Sequence, residues 1–95
     1  MSTEDGPFDL DAAWALAAQV SVRPERFGAL LYHFGTRRLS FLKSPVLLEV
    51  LTGLAASPTA RDACARAGVP TAELPTFRTA LASLAASDMI RERTP

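Results

Sequence analysis

The sequence predicts an α+β fold in which a three-stranded antiparallel sheet is followed by three helices, and three observations carry that prediction. Apolar residues alternate on both sides of a turn signal between Phe27 and Leu42, the pattern of a β-hairpin. Just upstream, Val20 and Val22 alternate with polar neighbours and supply a third strand. From Ser44 onward every apolar stretch has helical spacing and follows a capping residue. A run of strands and then a run of helices, with the helices on one sheet face, is the α+β solution to burying both.

The elements follow in order. Residues 1–7 are polar and acidic with no apolar period, and are expected to form a flexible N-terminal arm. Between Phe8 and Ala18 the signals conflict. Alanine-rich Asp11–Ala18 has helix-forming composition, whereas Trp14 and Leu16 alternate as a strand would, and a short helical turn is the expectation. Gln19–Arg23 reads as a strand that Pro24 closes.

In the hairpin, Gly35-Thr36 reads as a two-residue turn with glycine where positive φ is needed. Phe34 then faces Arg37, Tyr32 faces Leu39 and Leu30 faces Phe41. That register gathers Leu30, Tyr32, Phe34, Leu39 and Phe41 on one apolar face, and leaves Ala29, Leu31, His33, Arg38, Ser40 and Leu42 on the other. A three-residue loop would mix polar and apolar groups on both faces, so the pattern selects the shorter loop.

Lys43-Ser44-Pro45 ends the second strand of the hairpin and opens a helix, with Ser44 as N-cap and Val46, Leu47, Val50, Leu51 and Leu54 on one face. Ser57-Pro58 repeats the cap for a short alanine-rich helix that ends near Ala67, before Gly68 and Pro70. Glu73-Leu74-Pro75 starts the third helix, striped by Phe77, Leu81 and Leu84, with Met89 and Ile90 folding back onto it. One domain is expected over residues 8–90, with a C-terminal tail from 91 to 95.

Composition agrees with one small globular domain: 95 residues, 48% hydrophobic and 21% charged. No apolar run approaches the roughly 20 residues that span a bilayer, and the acidic start is unlike a secretory signal, so a cytoplasmic protein with no membrane partner is expected. The lone Cys64 cannot form an internal disulfide. Net charge is zero, but its distribution is uneven: Glu4, Asp5, Asp9 and Asp11 precede a stretch in which Arg23, Arg26, Arg37, Arg38 and Lys43 face one acid, Glu25.

Catalysis needs convergent titratable groups, and this chain has one His, one Cys and no paired carboxylates at a telling spacing. His33, on the mixed face of the hairpin, reads as a surface or edge histidine rather than a general base. No CxxC, HExxH or glycine-rich phosphate loop is present, so no enzyme activity, cofactor or metal is expected. The second and third helices have helix-turn-helix spacing, which keeps a small winged-helix DNA-binding protein open as the alternative. Against it, the polar face of the third helix carries Thr76, Arg78, Thr79 and Ser83, a single base among them. The plain reading of the basic hairpin is an edge that Arg38 and Lys43 protect from aggregation.

The text FGALLYHFGTRRLSFLKSP, with FDLDAAW upstream and alanine-rich helices downstream, resembles the mycofactocin biosynthesis chaperones, a family of PqqD-like peptide-recognition elements. The resemblance covers about Phe8 to Ile90. It implies a winged-helix-like domain that binds the leader region of a ribosomal precursor peptide, MftA, as an added strand. It also implies delivery of that precursor to the radical S-adenosylmethionine enzyme MftC, with the iron–sulfur chemistry belonging to the enzyme. Strand addition requires an open edge, and Arg38–Leu42 is the last strand of the meander. The expected peptide-binding residues are therefore Arg37, Arg38, Leu39, Ser40, Phe41, Leu42 and Lys43, joined by Arg78, Ala82 and Ala85 from the third helix. The three bases would complement an acidic leader.

Overall fold

Hairpin strands find their partners across a few residues of turn, so their pairing is set locally; the chain ends pair only because the helices bring them together. Both kinds of pairing are seen in the computed structural model, which describes residues 8–93. The expected arm at residues 1–7 lies outside the described residues. In chain order the elements are β1 (Trp14–Leu16), β2 (Val20–Glu25), β3 (Gly28–His33), β4 (Arg38–Leu42), α1 (Pro45–Gly53), α2 (Ala60–Arg66), α3 (Leu74–Ala86) and β5 (Ile90–Glu92). A 3-10 turn, Thr71–Glu73, leads into α3.

Strands β2, β3 and β4 form the expected antiparallel meander. Tyr32 lies opposite Leu39 and Leu30 opposite Phe41, the register expected from the apolar pattern. The loop itself differs. Residues 34–37 form a four-residue connection closed by the Arg37 N–H donating to the His33 carbonyl at 2.7 Å. The left-handed residue is Arg37, at φ 61°, and not Gly35. Gly35 is needed for space, because a Cβ there would collide with the Gln19 side chain and the His33 ring.

Pro24 does not close β2. It continues the strand opposite Ala29, because the even-numbered residues of β2 turn their backbone groups away from β3. The Phe34 N–H donating to the Gln19 carbonyl at 2.9 Å fixes that alternation. A missing N–H costs nothing at a free edge.

The two faces of the hairpin are also assigned by the structure. Ala29, Leu31, His33 and Leu42 point inward and are 0–3% exposed, against α1, while Phe34, Leu39 and Phe41 point outward at 61–62%. His33 is thus a core residue, contrary to the surface or edge position its neighbours implied.

A second sheet was not foreseen. Phe8–Ala18 yields a strand rather than a helical turn: β1 pairs antiparallel with β5, Trp14 opposite Glu92 and Leu16 opposite Ile90. The fold is therefore α+β with a two-stranded sheet added to the three-stranded one and a last strand after the helices. Arg91 and Glu92, set apart from the sequence as tail, are part of that strand. The alanine helix propensity is overridden by ladder bonds and by Phe8, which stacks on Trp14 with ring centroids 4.2 Å apart.

The N-terminal segment also caps α2, its Leu10 and Ala12 carbonyls accepting from the Arg61 and Ala60 N–H groups at 2.8 and 3.1 Å. Arg93 closes the assembly by donating from Nε to the Trp14 carbonyl at 2.9 Å and from Nη2 to the Ser57 carbonyl.

Ser44 caps α1 as expected, its Oγ accepting from the Leu47 N–H at 3.1 Å. Leu47, Val50, Leu51 and Leu54 are buried, whereas Val46 is 37% exposed. Thr59, and not Ser57, caps α2, with its Oγ1 accepting from the Asp62 N–H at 3.1 Å. Ser57 is turned back to donate to the Gly53 carbonyl at 2.8 Å. Met89 and Ile90 are buried, as the sequence indicated.

Two glycines should respond in opposite directions to alanine. Gly28 sits at φ 149°, and a Cβ there would run into the Leu42 carbonyl, so Gly28→Ala should destabilise by roughly 1–3 kcal/mol or more in urea unfolding. Gly53 ends α1 with open space around it, and Gly53→Ala should stabilise by roughly 0.5–1 kcal/mol.

Candidate functional site

A strand can be added only where backbone groups are unpaired, and the three-stranded sheet has two edges of unequal character. On β2 the outward groups are those of Val20, Val22 and Pro24; the Val20 N–H is bonded to the Ala17 carbonyl at 3.0 Å and Pro24 has none. On β4 the alternation set by the Phe34–Gln19 bond turns Arg38, Ser40 and Leu42 toward β3 and leaves Leu39 and Phe41 with N–H and C=O directed outward. The open edge is β4.

Beside that edge runs a groove. Its narrow part, about 250 Å³, lies between Ser40, Phe41 and Leu42 on one side and Ala80, Ser83, Leu84 and Ser87 of the α3 segment on the other. It continues past Leu47 and Ala80 into a wider hollow of about 560 Å³, bounded by Lys43, Val46, Val69, Thr76 and Phe77 among others. The floor is apolar and the walls carry hydroxyls, one lysine, Lys43, and one carboxylate, Glu73, a lining suited to an extended segment with alternating side chains.

The expected strand residues are thus brought together at one edge. Arg37 and Arg38 stand at the turn end, exposed, and with Lys43 they make no ion pair among the described residues. The expected helix residues do not line this groove. Ala82 and Ala85 line a different hollow, of about 400 Å³, with Phe8, Trp14 and Glu92. Arg78 is exposed and borders neither part of the groove. The groove is faced instead by Thr76, Ala80, Ser83 and Ser87, a ridge of small residues whose four- and three-residue spacing was a usable signal.

The turn above the groove is held by His33. Its Nδ1 accepts from the Gly35 and Thr36 N–H groups at 3.0 and 3.1 Å, and its Nε2 donates to Asp88 Oδ2 at 3.1 Å. Both ring nitrogens are therefore used in the neutral tautomer, and nothing about the ring is free for chemistry.

Asp88 stands just beyond α3 in the left-handed region, at φ 62°, and also accepts from Arg91 at 2.9 and 2.8 Å. The Arg91 guanidinium first, and His33 second, hold its carboxyl down to about 2. Asp11 is likewise lowered by its bonds to Arg61, and burial raises the Cys64 thiol. Among the described residues no cluster of His, Cys, Asp and Glu has the makings of a metal site.

The Peptide chaperone MftB family matches residues 13–91. The "Peptide chaperone MftB" of Mycobacterium ulcerans is 55% identical over 85 residues, covering 90% of this chain and 78% of the relative. That of Mycobacterium tuberculosis is 50% identical over 90 residues, covering 95% and 83%. The Mycolicibacterium smegmatis protein of the same name is 50% identical over 88 residues, covering 93% and 86%. No solved structure matches the chain at a significant level.

The Asp88 contacts set an acid limit. A carboxyl with a folded-state pKa near 2, against about 3.9 unfolded, adds stability above about pH 4 that is lost as the pH falls toward 2. Asparagine tolerates the left-handed backbone without the charge. Asp88→Asn should therefore lower the urea midpoint near neutrality, and its gap to wild type should narrow as the pH falls below about 4 toward 2, where the unfolded-state aspartate is protonated and the folded one about half so.

Proposed function

Because the chain belongs to the peptide chaperone MftB family, we propose that it binds the leader region of the mycofactocin precursor MftA by strand addition to β4 and presents it to the radical S-adenosylmethionine enzyme MftC. It acts as a carrier and not as a catalyst. The observation that carries this reading is the coincidence of an unpaired edge, the outward N–H and C=O groups of Leu39 and Phe41, with a groove along α3. A strand laid there gains backbone bonds from the edge and side-chain burial from the groove, so one ligand satisfies both.

The bases reinforce it. Arg37 and Arg38 at one end of β4 and Lys43 at the other are exposed, so an acidic leader would be attracted along the whole edge. Exposed pairs of this kind contribute about 1 kcal/mol or less each and act mainly on encounter. The DNA-binding alternative gains no support from α3, whose exposed Thr76, Arg78, Thr79 and Ser83 offer one cation to a phosphate backbone.

Titration of labelled protein with synthetic leader peptide tests the proposal. Leu39→Pro and Phe41→Pro each delete an outward donor without breaking the β3–β4 ladder, and each should weaken the leader by about 1 kcal/mol, roughly fivefold, or more where the ring clashes with the incoming strand. Ser40→Pro should instead disrupt the sheet and lower the melting temperature. Unchanged leader affinity in both folded edge variants would overturn the proposal.

The charges are tested by kinetics. Reversing Arg37 and Lys43 together to Glu should slow leader association, with the difference shrinking as salt rises, while dissociation changes little. An association rate indifferent to both would reduce these bases to edge protection.

A further inference from the structure

The outward face of the three-stranded sheet is apolar and uncovered. Phe34, Leu39 and Phe41 are 61–62% exposed and Phe27 is 45% exposed. They form one surface, since Leu39 is the cross-strand neighbour of Tyr32 and Phe41 that of Leu30. The Phe27 and Phe41 rings lie 6.2 Å apart, and the Tyr32 and Phe34 rings 5.4 Å. A contiguous aromatic patch of this kind on a small protein marks a docking surface, because leaving it in water forgoes the burial its residues could gain.

This surface is distinct from the peptide groove. The groove is walled by Ser40 and Leu42, whose side chains point inward, and Phe41 alone borders both. A leader paired with the β4 edge would leave Phe27, Tyr32 and Phe34 in solvent. Its charges indicate what covers it. Arg26 adjoins Phe27 and Arg37 adjoins Phe34; both are exposed and in no ion pair among the described residues, whereas Arg38 shares the register of the inward face and Lys43 borders the groove. Arg23, on the same face, is paired with Glu25 at 3.2 Å. A second copy would bring this cationic rim against its own kind. A partner whose apolar patch is bordered by Asp and Glu would neutralise it.

We propose that the outward sheet face formed by Phe27, Tyr32, Phe34 and Leu39 is a second docking surface, which binds a folded, acid-rimmed protein while the leader occupies the β4 edge. Resting on the chaperone reading above, that protein is the modifying enzyme. Leader and enzyme then bind on opposite sides of one strand, and the domain hands over a peptide without releasing it.

The test uses the full chain with purified MftC and synthetic leader as separate probes. Phe27→Ser and Phe34→Ser lie in turns, on positions already exposed, and should fold normally by circular dichroism. Each should weaken enzyme binding by about tenfold or more, the scale of a central aromatic anchor, with leader affinity within about twofold of wild type. Val46→Ser, in the wide part of the groove, should do the reverse. Wild-type enzyme affinity in both phenylalanine variants, with leader binding intact, would overturn the inference and leave the chaperone reading standing. A wild-type chain that bound no leader, yet lost the enzyme on Phe34→Ser, would keep the surface and sink the leader reading. Sedimentation showing a wild-type dimer abolished by Phe34→Ser would assign the face to a second copy and overturn the inference as well.

Discussion

A single buried imidazole organises the hairpin half of this molecule. The four-residue turn after β3 leaves the Gly35 and Thr36 N–H groups without ladder partners, and His33 Nδ1 takes both. The other side of the ring reaches across to Asp88, at the point where α3 gives way to β5. One side chain thus fixes the tip of the hairpin and the end of the helix relative to each other. The helix end adjoins Ser87, which lines the groove, so that wall is positioned in part by a half-buried polar contact. Such a contact is costly to leave half made. Gly35 suits this arrangement, since a Cβ there would stand 2.9 Å from the His33 ring.

The sheet owes its directionality to unequal edges and unequal faces. Pro24 and the Ala17–Val20 bond close the β2 side, so a strand arriving from solution meets one suitable edge. Across the thickness of the sheet, the small and medium residues Ala29, Leu31 and Leu42 let α1 sit close, while the large aromatic residues are turned outward. This inverts the usual arrangement, in which the bulkiest apolar side chains fill the core, and the inversion leaves one face of the sheet packed and the other open to solvent.

Local pattern was enough to recover the meander, its register and the three helices, because each depends on neighbours a few residues apart. Tyr32 opposite Leu39 follows from alternation alone, and Ser44 before Pro45 is a cap wherever it stands. The errors share a cause. Trp14–Leu16 has no strand partner within reach of local pattern; Ile90–Glu92 arrives only after three helices have turned the chain back. His33 looked exposed because its partners are the turn amides and a distant aspartate. The choice of Ala82 and Ala85 over Ala80 and Ser83 required knowing how α3 is rotated against β4, which helical periodicity leaves open by a residue or two. The edge and its flanking bases were legible in the sequence; the opposing wall was not.

The β1–β5 pair has a consequence for how the chain acquires its shape. The meander and helices can organise through short-range contacts, but Trp14–Leu16 meets Ile90–Glu92 across nearly the whole described chain. The entropy of closing so long a loop is recovered only once the intervening elements are in place, which makes this clasp a late event in folding. It is also a short ladder, three residues a side. Among the elements described it is therefore the natural site of first opening, exchanging its amide hydrogens ahead of the meander. Because Phe8, Leu10 and the capping of α2 all hang on the segment that leads into this clasp, fraying there would loosen the helical layer from the rear while the hairpin stays intact.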